Sequence, residues 1–184
     1  MTDVETRQAA RETAAIAALD ANRAAGRKVA VAESCTGGMV AAALTDVAGS
    51  SAVFSSGFVT YSGDAKQRQL DVSSEILETF GEVSLATAWA MATGALANSD
   101  ADVAVAITGI AGPGGGSEKK PVGLVIFARA LRGQDPDDYF SQRVRFEGGD
   151  RAAIRHAATL FALDLLQPER DSLTASDDIA LPAA

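Results

Sequence analysis

Two kinds of apolar pattern alternate along the chain. Short unbroken runs such as Val29-Ala-Val-Ala32 and Val103-Ala-Val-Ala-Ile107 have no polar face, as expected of strands covered on both sides. Longer stretches, rich in alanine or with apolar residues three and four apart, read as helices. In order, the pattern predicts a helix over 4–25 ended by Gly26, a strand over 28–33, and a helix over 39–46 closed by Gly49-Ser-Ser51. A strand over 53–61 follows, then a short helix opened by Ser62-Gly-Asp64 and holding Lys66. Helices over 73–80 and 84–98 start on the N-cap serines Ser73 and Ser84. Strands are expected over 102–107, 122–130 and 139–146, and a last helix over 151–166 with Asp150 as its N-cap.

Strands separated by helices imply a parallel sheet with helices on both faces. The last two strands are joined without a helix, which implies an antiparallel pairing. The expected fold class is α/β, a three-layer α/β/α sandwich around a mixed, mostly parallel sheet of about five strands. With 184 residues, one domain over 1–166 accounts for the core. Residues 167–184 carry Glu169, Asp171, Asp177 and Asp178 against Arg170, together with Pro168 and Pro182, and read as an acidic, solvated, flexible tail.

Composition narrows the chemistry. A formal net charge of −8 argues against a nucleic-acid binder, whose affinity rests on clustered Lys and Arg. The single cysteine, Cys35, and single histidine, His156, exclude a disulfide and the common His/Cys metal motifs. The N-terminal segment lacks the basic and apolar regions of a leader, and no apolar run is long enough to span a membrane, so the expected location is the cytoplasm. No cofactor is expected. A homodimer is the expected assembly.

In open α/β sheets, ligands bind beyond the C-terminal ends of the parallel strands. Three unusual loops fall there: Glu33-Ser-Cys-Thr-Gly-Gly38, Thr60-Tyr-Ser-Gly-Asp64 with Lys66 one turn on, and Thr108 with the glycine loop 109–116. If the strands are parallel, these loops share one edge. The loop with Thr36, Gly37 and Gly38 opens a helix and suits either an anion or an exposed Ser34 hydroxyl; an ordinary N-cap is the plain alternative. The loop with Gly109, Gly112, Gly115 and Gly116 matches neither nucleotide-binding fingerprint, yet its backbone can wrap a ligand. Lys66 can act as a base on a nearby serine only if it is neutral, and Tyr61 can relay a proton or orient the pair. His156 falls away from the apolar stripe Ile154, Ala158, Phe161 and Leu165 and is expected in solvent. Cys35 is expected to be an inert, partly buried thiol. Trp89 and Met91 read as core or an oligomer contact, and Asp135, Asp137 and Asp138 as solvated turn residues.

Ala32-Glu-Ser-Cys-Thr-Gly-Gly38, Gly57-Phe-Val-Thr-Tyr-Ser62, Thr108-Gly-Ile-Ala-Gly-Pro113, Gly115-Gly-Ser117 and Lys120-Pro-Val-Gly123 occur in the order and spacing of the CinA C-terminal domain family. The resemblance covers residues 5–166. It implies an α/β/α sandwich with a five-stranded mixed sheet. It also implies a nicotinamide-nucleotide amidohydrolase, which releases ammonia from nicotinamide mononucleotide by serine acyl transfer with a lysine base and no metal. The partner implied is a small phosphorylated nucleotide. On this resemblance Ser34 is the nucleophile, with Ser51 as the rival. Lys66 is the base beside Tyr61, and Thr108 with neighbouring amides holds the carboxamide oxygen. Arg151 and the glycine loop bind the phosphate, with Lys119 and Lys120 as further local cations. Phe54, Phe58 and Tyr61 are the aromatic candidates for the nicotinamide ring. The alternative is a non-catalytic nucleotide-binding or interaction protein of competence or DNA damage, which has no need of a neutral lysine.

Overall fold

The structure, a computed structural model, describes residues 2–135, 138–174 and 178–183. In chain order its elements are α1 (Asp3–Ala24), β1 (Val29–Glu33), α2 (Met39–Thr45), β2 (Phe54–Val59), α3 (Gly63–Leu70), α4 (Ser74–Phe80) and α5 (Leu85–Ala97). Then follow β3 (Val103–Gly109), β4 (Leu124–Leu131), β5 (Phe140–Glu147), α6 (Arg151–Leu165) and β6 (Ile179–Pro182). The N-caps are the ones the polar positions predict: Ser73, Ser84 and Asp150 each accept a hydrogen bond from the third backbone N–H of their helix. Ser62 does the same for α3.

The sheet order is β2-β1-β3-β4-β5-β6. β1 runs parallel to both β2 and β3, β4 is antiparallel to β3 and β5, and β6 is parallel to β5. The alternating Val-Ala pattern of β1 and β3 has a direct reading. The valines Val29, Val31, Val103 and Val105 face one layer, with Leu19, Leu44, Ile154 and Leu163. The alanines Ala30, Ala32, Ala104 and Ala106 face the other, with Met91, Ala92 and Ala95 of α5. Small residues on that face let α5 lie close over β3 and β4.

α5 also lies close to α3. A Cβ on Gly94 would stand 2.0 Å from the Leu70 carbonyl oxygen. Alanine gains about 1 kcal/mol of helix propensity over glycine, but forcing a backbone contact apart costs about 1–3 kcal/mol. Gly94→Ala is therefore expected to lower stability by up to about 2 kcal/mol in urea unfolding; a stabilised variant would mean that the two helices separate freely.

Two expectations are corrected. The acidic tail contributes a sixth strand. Ile179 and Leu181 pack against the core on the valine side of the sheet, Ala183 N–H donates to the Glu147 carbonyl at 2.8 Å, and the strand lies at the sheet edge, where Pro182 is tolerated. Asp171 is tied down by an ion pair with Arg27, and its carbonyl accepts from Arg129 at 3.0 Å. Asp177 lies outside the described residues. His156 is only 3% exposed, because α1 covers the side of α6 that the apolar stripe does not mark. Its Nδ1 sits 3.3 Å from Arg11. Burial pushes its pKa down, and Arg11 and Arg7 add to the effect.

Met91 is core, and Trp89 packs at the core margin with its ring 5.9 Å from that of Tyr139. Asp135 and Asp138 are exposed, while Asp137 lies outside the described residues. Among the described residues no helix is long and apolar enough to cross a membrane.

Candidate active site

Because β1, β2 and β3 are mutually parallel, their C-terminal ends meet at one edge. The three loops singled out from the sequence border a cleft of about 230 Å³ there. Ser34, Cys35, Tyr61, Glu82, Thr108 and Arg151 line it, with Gly109, Gly112 and Gly115 of the glycine loop.

Lys66 is the centre of the arrangement. It lies on the first turns of α3, and its side chain is 0% exposed. Its Nζ donates to the Thr60 carbonyl at 2.9 Å and to Ser34 Oγ at 3.2 Å. The third neighbour is a carboxylate oxygen of Glu82 at 3.4 Å. Burial pushes the Lys66 pKa below its ordinary value, against the pull of Glu82 in the other direction. A buried lysine held on a serine hydroxyl and inclined toward neutrality has the geometry of a general base on a nucleophile. Ser34 is 8% exposed and opens onto the cleft. Ser51 is not part of this group. It sits in the 3₁₀ turn Ser50–Ala52 before β2, at the opposite edge of the sheet from Lys66.

Other candidate residues are placed differently from expectation. Tyr61 is 60% exposed, and its hydroxyl accepts from Arg151 at 3.0 Å instead of engaging Lys66. The Thr108 hydroxyl donates to the Glu82 carbonyl at 2.8 Å, so its proton is already committed to positioning that loop. The Thr36–Gly38 loop is not an open anion cradle. The buried Glu33 carboxylate accepts from the N–H groups of Gly38, Val40 and Ala41 at 2.9–3.2 Å, filling the start of α2. The Gly37 N–H is bonded to the Ser34 carbonyl, and Thr36 is buried with its carbonyl held by Arg155 at 2.7 Å.

In the glycine loop, Gly109 and Gly116 serve packing. A Cβ on Gly109 would stand 2.7 Å from the Leu124 carbonyl oxygen, and one on Gly116 2.9 Å from the Val122 nitrogen. Gly112 and Gly115 face the cleft. The N–H groups of Ala111, Gly112 and residues 114–116 take no part in the backbone hydrogen bonds among the described residues. Successive N–H groups of this kind can meet an oxyanion or phosphate. Arg151, first residue of α6, reaches the loop by donating to the Gly112 carbonyl at 2.7 Å. It also borders an adjoining cavity of about 620 Å³, which it shares with Ala111, Pro113 and Arg155. Lys120 is not a cleft cation, since its Nζ donates to the Phe80 carbonyl at 3.0 Å. Lys119 is not among the cleft-lining residues either. Of the three aromatic candidates, only Tyr61 lines the cleft.

The sequence reading missed Glu33, Glu82 and Arg155. One signal for Glu33 was available: Gly38, the N-cap of α2, has no side chain to offer, so the first N–H groups of the helix need an acceptor from elsewhere. Cys35 is a buried thiol, and desolvation pushes its pKa up to about 12. Among the described residues no group of three or more His, Cys, Asp or Glu side chains is arranged to hold a metal ion.

The model of the CinA C-terminal domain matches residues 10–169. The chain is 48% identical over 167 residues to the nicotinamide-nucleotide amidohydrolase PncC of Escherichia coli K12, covering 90% of this chain and 95% of that protein. It is 51% identical over 143 residues to the CinA-like protein of Mycolicibacterium gilvum, but spans only 33% of that longer relative. The crystal structure of the competence/damage inducible protein CihA from Agrobacterium tumefaciens superposes with a TM-score of 0.81 at 48% identity, covering 85% of this chain and 93% of that one. With the fold, the loop motifs and the family match in agreement, the chain belongs to the CinA C-terminal domain family.

Proposed function

We propose that this chain is a nicotinamide-nucleotide amidohydrolase, converting nicotinamide mononucleotide and water to nicotinate mononucleotide and ammonia. The observation that carries the reading is the buried Lys66 Nζ on Ser34 Oγ. The near full-length similarity to a relative named for this activity supports the substrate.

In this reading neutral Lys66 takes the Ser34 hydroxyl proton as Oγ bonds to the carboxamide carbon. Charge develops on the carboxamide oxygen, and in this reading N–H groups of the glycine loop donate to it. The Lys66 ammonium then gives its proton to the amide nitrogen. The C–N bond breaks, ammonia leaves, and the nicotinoyl group remains as an ester on Ser34. A water molecule next gives a proton to Lys66 as its oxygen adds to the ester carbon. The C–Oγ bond breaks, Lys66 returns the proton to Ser34, and the carboxylic acid ionises. The steps use only side chains, backbone and water. The phosphate end extends toward Arg151 and the adjoining cavity. Because a phosphorylated nucleotide does not cross a bilayer unaided, the same reading puts the enzyme in the cytoplasm. A pure binding module has no need of a desolvated lysine on a serine, which weighs against the non-catalytic alternative.

The test is ammonia release from nicotinamide mononucleotide, with nicotinamide riboside as the control. The expected outcome is release from the nucleotide, with the riboside slower by about 10-fold or more for want of a charge-assisted phosphate contact. Release from neither compound overturns the substrate assignment.

A further inference from the structure

Lys66 poses a problem for the reaction. It is fully buried, yet each catalytic step loads or unloads a proton on it. Its three oxygen neighbours are the Thr60 carbonyl, Ser34 Oγ and Glu82. The first is buried and does not titrate, and the second is the proposed nucleophile. Glu82 alone is both titratable and open to water, with its side chain 50% exposed.

The loop carrying Glu82 is held from several sides. Thr108 donates to the Glu82 carbonyl at 2.8 Å. Thr87 and Ser84 donate to the Gly81 carbonyl at 2.7 and 3.1 Å, and Lys120 to that of Phe80 at 3.0 Å. The carboxylate itself packs against Gly63 at the start of α3, where an added Cβ would stand 3.2 Å from it. Thr108 and Lys120 from elsewhere in the chain, with Ser84 and Thr87 at the start of α5, thus fix one short loop whose only carboxylate faces the base.

We propose that Glu82 is the positioning residue of the base, its carboxylate holding Lys66 on Ser34 and setting the pH at which Ser34 becomes a nucleophile. The inference rests on the Ser34–Lys66 reading given above. Thr108 then acts through Glu82, by pinning its backbone. Among the described residues no other charged neighbour takes the part. The Glu33 carboxylate is bonded to the N–H groups of α2, and Cys35 is a neutral thiol. On α3 itself Asp64 pairs with Arg68, and Arg151 is held by Gly112 and Tyr61. Arg155 is bonded to the carbonyls of Cys35 and Thr36.

A carboxylate beside an ammonium favours the charged form, so its loss makes Lys66 easier to deprotonate. Glu82→Gln is expected to move the acid limb of activity to lower pH by about one unit, the low end for a close opposite charge because Glu82 is half in water. The same limb is read without the natural substrate by the rate at which a fluorophosphonate labels Ser34, followed by intact mass across pH. At a pH on the acid limb the variant is expected to label several-fold faster than wild type, and Glu82→Asp is expected to lie between them. An unshifted labelling limb in a folded Glu82→Gln variant overturns the proposal. A shifted limb in a protein that releases no ammonia from the nucleotide sustains it and refutes only the substrate. Labelling that Lys66→Met leaves undiminished refutes the dyad on which it rests.

Discussion

Replacing Lys66 with methionine is expected to lower ammonia release by about 1000-fold, the scale of a lost general base. The fold is expected to survive. Lys66 is not the solvated lysine of a polar helix that its neighbours Asp64, Gln67 and Arg68 suggest; it is fully buried, among the largest side chains that are. Methionine keeps the length of the stem and removes a charge that the protein interior disfavours. Stability measured against pH separates this from a general loss of structure. The folded-state pKa of Lys66 is lowered, whereas the unfolded value is about 10.5. Between those two values the unfolded chain binds more protons, so the Lys66 contribution makes wild type more stable as pH rises through that window. Below the folded value both states carry the proton and the slope vanishes. The variant loses this slope, so its advantage over wild type is expected to be largest at low pH and to shrink as pH rises. Activity within 10-fold of wild type would remove Lys66 from the mechanism.

The legible parts of this molecule are those where one element carries the whole signal. β1 and β3 announce themselves because both faces are buried, so residues 29–32 and 103–107 run unbroken in apolar residues before the polar residues at the site. The capping serines and Asp150 mark helix starts because the unmet N–H groups of a helix need a local acceptor. The three loops at one sheet edge follow from topology alone.

What the sequence hid depends on a second element. His156 looks solvated on its own helix, and the packing of α1 against α6 puts Arg11 beside it and leaves it buried. β6 has just Ile179 and Leu181 as an alternating signal, outweighed by nearby acids and prolines. Glu82 and Arg155 are charged residues of no distinctive spacing, and their roles exist only in contacts with other elements of the chain, Lys66 for one and the carbonyls of Cys35 and Thr36 for the other. Thr108 illustrates a subtler limit. Its location at the site was legible, but the destination of its single proton was not, and that proton goes to the Glu82 carbonyl.

The choice between the two candidate serines follows from the same topology. In a parallel sheet the two ends of a strand are chemically distinct places. Ser34 follows the C-terminal end of β1, beside the end of β2, where the Thr60 carbonyl also anchors Lys66. Ser51 precedes β2, so nearly the full length of the strand separates it from the base. At about 3.3 Å per residue, six residues put it well beyond the reach of any hydrogen bond to Nζ. Ser34→Ala is accordingly expected to abolish the covalent nicotinoyl adduct seen by intact mass and to cut turnover by about four orders of magnitude or more. Ser51→Ala, at an exposed turn, is expected to leave both within about twofold of wild type. An adduct surviving Ser34→Ala but not Ser51→Ala would require β2 to run the other way. Full turnover in both variants would mean that water attacks the carboxamide directly. Lys66 would then have to take its proton from that water and not from the serine it now touches.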